Sequence, residues 1–354
     1  MSLMIESLDD ATPAWLGDVL HVKVANISST ANDAFNSSIA HLNVKYSEPV
    51  DLPSRLILKL NNDHAGQYEI QFYRFAENID LSMMPRRLGM EYDSSTGFSF
   101  LLLEDISDSH MTPIRRDQLL ALNGVPDMEQ LEMIVDAVAG FHAAFWEQPS
   151  LGSVSDTTEM RSWYRDDDFH AKHVERRRNE WAKFLELYRD ELPKEWITLG
   201  ESILESLPKL FESRIKPRLS PRRALTMSQG DCYLTQFLVP REGFGQAYLI
   251  DFQDACVNFP TFDLVFMFAT FWTHEQRAGI EQKLLHRYLD TLTTHGIDYD
   301  WDLLCDDYRL CLSYMFFDAV WNATSGSRRE YWKPKLSCLI AAYQDWKCGD
   351  LIHD

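Results

Sequence analysis

The sequence predicts an α+β protein in two lobes, a small sheet with one helix packed on it and then a larger, mainly helical part. Three observations carry the prediction. Residues from about 14 to 104 show the two-residue alternation of half-buried strands, interrupted by a single helical stripe. After Asp105 the apolar spacing becomes helical for most of the chain. One island at 224–252 departs from it, with short apolar runs separated by turn residues.

Each element follows from its own residues. Residues 22–25 and 39–46 alternate apolar and polar, and 56–60 form a short apolar strand that holds one lysine. Tyr68, Phe72 and Phe75 then fall at helical spacing within 65–78. Strand-like runs follow at 86–92 and 98–104, and a connector spans about 104–112. Beyond it, Leu131, Val135, Val138, Phe141 and Phe145 line one face of a helix over 128–146. The segments 163–192, 196–211, 275–295, 301–323 and 328–347 read likewise. In the island, Pro240, Gly243 and Gly245 separate two apolar runs and predict a hairpin. The lobe boundary is set at 104/105, giving parts of 4–104 and 105–354.

Composition narrows the classes. A chain of 354 residues with 45% hydrophobic and 25% charged residues is globular rather than disordered or fibrous. The formal net charge of −20 argues against nucleic acid or an anionic membrane as partner. No stretch approaches a membrane-spanning run, and no signal-peptide pattern opens the chain. Six cysteines form no CxxC pair, which points to reduced thiols in a cytoplasmic protein.

Candidate chemistry sits at three places. Ser228-Gln229-Gly230-Asp231, followed by Gln236, precedes the first strand of the hairpin, and Leu249-Ile250-Asp251-Phe252 closes the second. Two carboxylates and an amide carbonyl converging there would suit Mg²⁺, which takes oxygen ligands. Each aspartate alone also reads as a turn residue; the pairing and spacing favour a site. Lys59, inside Leu56-Ile57-Leu58-Lys59-Leu60, is either an edge residue with its head in water or a buried cation awaiting an anion. Glu69 on the following helix offers the partner, and kinases hold a phosphate-gripping lysine in this way.

Taken together, these features resemble the aminoglycoside phosphotransferase-like family within the protein-kinase-like fold, nearer its choline kinase and ecdysteroid kinase-like relatives than protein kinases. The matching residues are Lys59 in LILKL, Glu69 in EIQFY, LLLEDI at 101–106, GFHAAFW at 140–146, SQGDCYLTQFLV at 228–239, and LIDFQD at 249–254 with Phe262-Asp263-Leu264. They cover about 20–350, and the C-terminal helices resemble a bacterial branch. The resemblance implies an antiparallel-sheet lobe that binds nucleotide and a helical lobe with the catalytic loop and acceptor site. It implies ATP with Mg²⁺ or Mn²⁺, and a hydroxyl of a small metabolite or antibiotic-like molecule as acceptor. Lys59 would grip the α- and β-phosphates and Glu69 would orient it. The backbone around Glu104 and Ile106 would bond adenine, Asp231 would orient or deprotonate the hydroxyl, and Gln236 and Asp251 would hold the metal. Asp263 would brace the catalytic loop.

Two residues depart from the family's HGD-x4-Asn pattern: Gln229 stands for the histidine and Gln236 for the asparagine. The second adds a methylene, which displaces a ligand oxygen by about 1.5 Å. The segment 26–36, expected to cover the nucleotide as a loop, contains no glycine. A nucleotide- or metabolite-binding pseudokinase is therefore the alternative reading. Other features read more plainly. Asp166-Asp167-Asp168 with His170 and His173 looks like a solvated acidic helix start rather than a metal cluster, and His142 like a core histidine. Ser213 and Lys216 match SxxK without partner motifs, and the basic runs at 176–178 and 216–223 read as solvated faces. Trp272, Trp301, Trp321 and Trp332 are available to line an acceptor pocket.

Overall fold

The computed structural model describes residues 3–33, 38–62, 66–152 and 166–353. The chain divides into two compact units, Met1–Met111 with Leu238–Ala255 and Thr112–Phe237 with Cys256–Asp354. The 238–255 segment, read from the sequence as part of a hairpin in the helical lobe, thus belongs with the sheet.

The first unit is built on a five-stranded antiparallel sheet. Its strands are β1 (Val24–Asp33), β2 (Ser38–Tyr46), β3 (Arg55–Asn61), β4 (Arg87–Tyr92) and β5 (Ser99–Glu104), in the order β1-β2-β3-β5-β4. Alternation along the central β3 buries Leu56, Leu58 and Leu60 in the core with Trp15, Leu16 and Val19. Lys59 lies on the opposite face, in register with Ile39 and Leu101. The expected loop at 26–36 is strand as far as Asp33, paired residue by residue with β2; residues 34–36 lie outside the described ones.

Two helices complete this sheet rather than the one expected. The helix α1 (Pro13–Leu20) escaped the alternation-based reading, yet its start is written in Thr12-Pro13. The Thr12 hydroxyl accepts from the Trp15 N–H at 3.2 Å, and Pro13 occupies the first helical position. The expected helix α2 spans Gly66–Phe75, Ala65 lying outside the described residues. A side chain at Gly66 would collide with the Ser99 hydroxyl at 2.1 Å, so glycine permits the close approach of α2 to β5. The segments Phe237–Pro240 and Tyr248–Leu249 form a small sheet with His110–Met111.

The second unit is helical, with principal helices α3 (Met128–Phe145), α4 (Asp167–Tyr188), α5 (Lys194–Leu210), α6 (Thr261–Ala269), α7 (Glu281–Thr294), α8 (Trp301–Thr324) and α9 (Arg329–Asp345). Apolar on nearly all sides, α8 runs through the middle and packs on α4, α6 and α9. The helix expected over 275–295 breaks at Gly279, whose φ of 82° no ordinary residue adopts readily. The strand Thr226–Ser228 pairs with Cys256–Asn258, a three-residue strand that the sequence reading missed. Among the described residues no helix is long and apolar enough to cross a membrane.

The acidic start of α4 is as expected, since Asp166 caps the helix by accepting from the Phe169 N–H at 2.8 Å. Its histidines are not solvated. His170 stacks on Phe211 with centroids 3.9 Å apart and bonds the Tyr314 hydroxyl at 2.9 Å, and His173 is buried beside it. Residues 163–165 of the expected helix lie outside the described ones. Burial pushes His170 from 6.5 down to about 4, against the opposing pull of Glu212 and Asp167. The unfolded chain then binds this proton near 6.5 and the folded chain only near 4. Stability therefore falls as pH drops through that window. His170→Gln removes the titration, so the melting temperature of the wild type should fall relative to the variant between these pH values. Parallel melting curves across the window would refute the assignment.

Candidate functional site

Lys59 is a buried cation held between two carboxylates. Its Nζ lies 2.8 Å from Glu69 Oε2 and 2.7 Å from Asp251 Oδ1. The lysine side chain is 12% exposed and that of Glu69 3%. Burial works to lower the lysine pKa, but Glu69 and Asp251 outweigh it, and the group is held above its ordinary value. The Glu69 carboxyl is pushed up by burial, with Lys59 opposing and Asp251 adding to the rise. Asp251 itself has a φ of 64°, an unusual left-handed backbone that the ion pair helps to hold. Phe252 anchors the same turn. Its N–H donates to Glu69 Oε1 at 3.3 Å and its ring stacks on Phe72 at 4.4 Å.

Glu104 and Ile106 border a cavity of about 360 Å³ within the same unit, together with Met84, Pro85, Arg86 and Tyr248. That volume is in the range of small-ligand pockets. The Glu104 N–H donates to Arg86 O at 2.9 Å, and Ile106 O accepts from Ser109 and His110. Asp105 between them stiffens the connector: its carboxylate takes bonds from His41 and Arg55, each at 2.9 Å. These partners hold the carboxyl below its usual range although burial opposes them.

The second unit holds the loop 228–236. Asp263, with no exposed surface, accepts the N–H groups of Gln229 at 2.7 Å and Gly230 at 3.1 Å. His142 Nε2 lies 3.1 Å from the same carboxylate, and its Nδ1 lies 2.7 Å from the Tyr288 hydroxyl. His142 is thus buried as a core residue would be, and it also orients the aspartate that grips the loop. Gly230 turns the chain at φ 89°. Gln229 Oε1 accepts the Asp231 N–H at 2.9 Å, so the glutamine supports the turn with an acceptor. Gln236, on the short turn Leu234–Gln236, brings its Nε2 to 3.4 Å from Asp231 Oδ2.

The sequence-predicted residues therefore gather in two sets. Lys59, Glu69 and Asp251 meet in one unit, which also holds the cavity at Glu104 and Ile106; Asp231 and Gln236 meet in the other. The tryptophans do not form a common pocket. Trp272 and Trp332 are buried against Phe268 and against Phe184 and Tyr188, and Trp301 stacks on His286. Trp321 is 40% exposed. Ser213 donates to Lys209 O and Lys216 pairs with Asp167, so the SxxK match is incidental. Phe252 and Tyr288 were missed as parts of the site, because ring stacking and a hydroxyl 146 residues from its partner leave no local pattern.

Solved structures share this architecture at low sequence identity. A provisionally assigned aminoglycoside phosphotransferase of Ralstonia eutropha JMP134 matches with a TM-score of 0.59 at 13% identity, covering 96% of this chain and 97% of that one. A microcompartment-associated aminopropanol kinase gives 0.55 at 13% identity over 94% and 96%. Spectinomycin phosphotransferase, solved with ADP and its antibiotic, gives 0.51 at 11% identity over 96% and 95%. No curated protein matches the sequence. The ecdysteroid kinase-like family model matches residues 69–298, from the helix glutamate past the loop and its brace. With most of its length inside that match, the chain belongs to the ecdysteroid kinase-like family and has the protein-kinase-like fold.

Proposed function

We propose that this protein is an ATP- and Mg²⁺-dependent phosphotransferase that moves the γ-phosphate to a hydroxyl of a small molecule. The observation that supports it most is Lys59, a buried strand lysine clamped by Glu69 and Asp251. A lysine so held presents a fixed positive charge to phosphate oxygens, and phosphoryl transfer is catalysed chiefly by such positioning and charge neutralisation. Adenine would enter the cavity at Met84 and Tyr248, read by the Glu104 carbonyl and the Ile106 N–H. The ADP seen in the spectinomycin enzyme supports nucleotide as the donor. The six cysteines, none of them in a disulfide, and the net charge of −20 fit a cytoplasmic enzyme with a small-molecule partner rather than nucleic acid or membrane.

Oxygen donors of the kind that Asp251 and Gln236 carry would suit a magnesium ion. Among the described residues no three acidic, histidine or cysteine side chains converge, so a metal would draw most of its oxygens from the nucleotide, as Mg²⁺ does. Asp251 would supply a carboxylate oxygen and Gln236 its amide oxygen. When bound, the ion would neutralise charge on the transferring phosphate. Asp231 would orient the acceptor hydroxyl and take its proton, on a loop fixed by Asp263. A nucleotide-binding protein without turnover is the second reading. One observation favours it: the Gln236 amide nitrogen, not its oxygen, faces Asp231 at 3.4 Å.

A screen of ATP consumption over hydroxylated metabolites with Mg²⁺ or Mn²⁺ tests the reading. On an acceptor so found, Asp231→Asn should cut turnover by about 100-fold or more, with melting temperature and nucleotide affinity little changed. Joint collapse of fold and activity would make Asp231 structural. Gln236→Asn should lower the metal concentration needed for half-maximal activity, because the shorter amide restores the ligand position. A metal titration at fixed ATP that shows no gain would remove Gln236 from the metal site.

A further inference from the structure

Asp263 holds the loop 228–236 at its entry, and a different set of residues holds its exit. Two backbone bonds close the turn, the Tyr233 N–H to the Asp231 carbonyl at 2.7 Å and the Gln236 N–H to the Tyr233 carbonyl at 2.8 Å. Both pass through Tyr233, so its placement fixes Asp231 and Gln236 together. The Tyr233 ring is buried and packs against Phe266 and Phe271, with centroids 5.1 and 5.6 Å away. Its hydroxyl lies 3.0 Å from that of Tyr331 and accepts from Lys335 Nζ at 2.6 Å.

Lys335, on α9, is 1% exposed. An ammonium has three N–H donors, and here each meets an oxygen: the Tyr233 hydroxyl, Asn322 Oδ1 at 3.2 Å and the Asp318 carboxylate. The rings of Tyr233, Phe266 and Tyr331 complete a cage, their centroids 5.2, 5.3 and 5.6 Å from Nζ. Asp318 and Asn322 both lie on α8, so the cation ties the loop to two helices at once. We infer that Lys335 is a positioning residue: through the Tyr233 hydroxyl it fixes the exit of the loop, and thereby the Asp231 carboxylate that would act on the acceptor. It touches no acceptor in doing so. Apolar residues of similar volume often stabilise a core as well as a buried ion pair does. What the cation adds is direction. Placement of a reacting group matters steeply, since an error of about 1 Å can cost about 100-fold in rate.

The inference rests on the phosphotransferase reading, and two readouts keep the two apart. Tyr233→Phe retains the ring and its packing, leaves Lys335 with Asp318 and Asn322, and removes only the link. Amide hydrogen exchange is followed by mass spectrometry in the wild type, Tyr233→Phe and Lys335→Met. Peptides covering 228–237 should exchange about 10-fold faster in both variants, while those covering 128–145 keep the wild-type rate. On an acceptor found in the screen, both variants should lower kcat by about 10-fold with the KM for ATP little changed, as loss of transition-state placement does. Unchanged exchange over 228–237 in Tyr233→Phe, exchange raised alike across the whole unit, or an effect confined to KM overturns the inference. So does an unchanged kcat. If Lys335→Met does not fold, Tyr233→Phe decides. A wild type that binds ATP and phosphorylates nothing sinks the phosphotransferase reading, while the exchange arm still judges the anchor.

Discussion

The balance of charge around Lys59 is the constraint from which the first unit is organised. A lysine taken out of water must be compensated, and two carboxylates within 2.8 Å do so with one negative charge to spare. The geometry of three elements serves that contact. The pleat of β3 turns Lys59 away from the leucine core, Gly66 lets α2 approach closely enough to deliver Glu69, and a left-handed turn delivers Asp251. The surplus negative charge has a consequence for any anion brought to Lys59. A polyphosphate would meet Glu69 and Asp251 as well as the lysine, and a divalent cation is the simplest way to reverse the sign. In the proposed reaction a need for metal would follow from electrostatics as well as from family resemblance.

The second unit meets the cost of buried charge differently. Among the described residues Asp263 meets no lysine or arginine at salt-bridge distance, and its oxygens lie against two backbone N–H groups and the His142 imidazole. Such bonds fix a loop more rigidly than an exposed ion pair would, because the donors belong to the backbone being held. Lys335 uses rings instead of a second carboxylate to complete its surroundings. The contrast with Lys59 is physical: one lysine sits where an anion could displace its partners, the other where aromatic faces enclose it.

Strands and helices with strong periodicity were readable in the sequence almost residue for residue, as β2, β3, β5 and α8 show. What escaped lay where the periodicity was short. Residues 13–20 make only two turns of helix, and Cys256–Asn258 is a strand of three buried residues; neither is long enough to impose a pattern. Of the candidate site, Lys59, Glu69, Asp251, Asp231, Gln236 and Asp263 could be singled out in the sequence because they sit in motifs. The Tyr288–His142–Asp263 relay and the cage around Lys335 were not, since their members are far apart in the chain and meet only after folding. The four tryptophans misled for the converse reason. Composition counts large rings without saying which are spent on the core, and Trp272 and Trp332 are.

The two glutamines that depart from the family pattern are not equivalent departures. Gln229 stands where a histidine would, and the need there is for a polar group that steadies a tight turn. Its oxygen takes the Asp231 N–H while its own N–H is taken by the Asp263 carboxylate, so the residue is tied on both sides. That exchange alters scaffold without altering donor atoms at the reacting centre. Gln236 stands where an asparagine would serve as a ligand, and there length matters. The added methylene carries the amide far enough to reach Asp231 Oδ2. A contact between those two side chains holds the carboxylate that would act on the acceptor, but it spends the amide on a neighbour. Turning the amide to offer its oxygen would break that contact, so metal binding at Gln236 and the restraint on Asp231 are in competition. An asparagine one methylene shorter would sit further from this conflict.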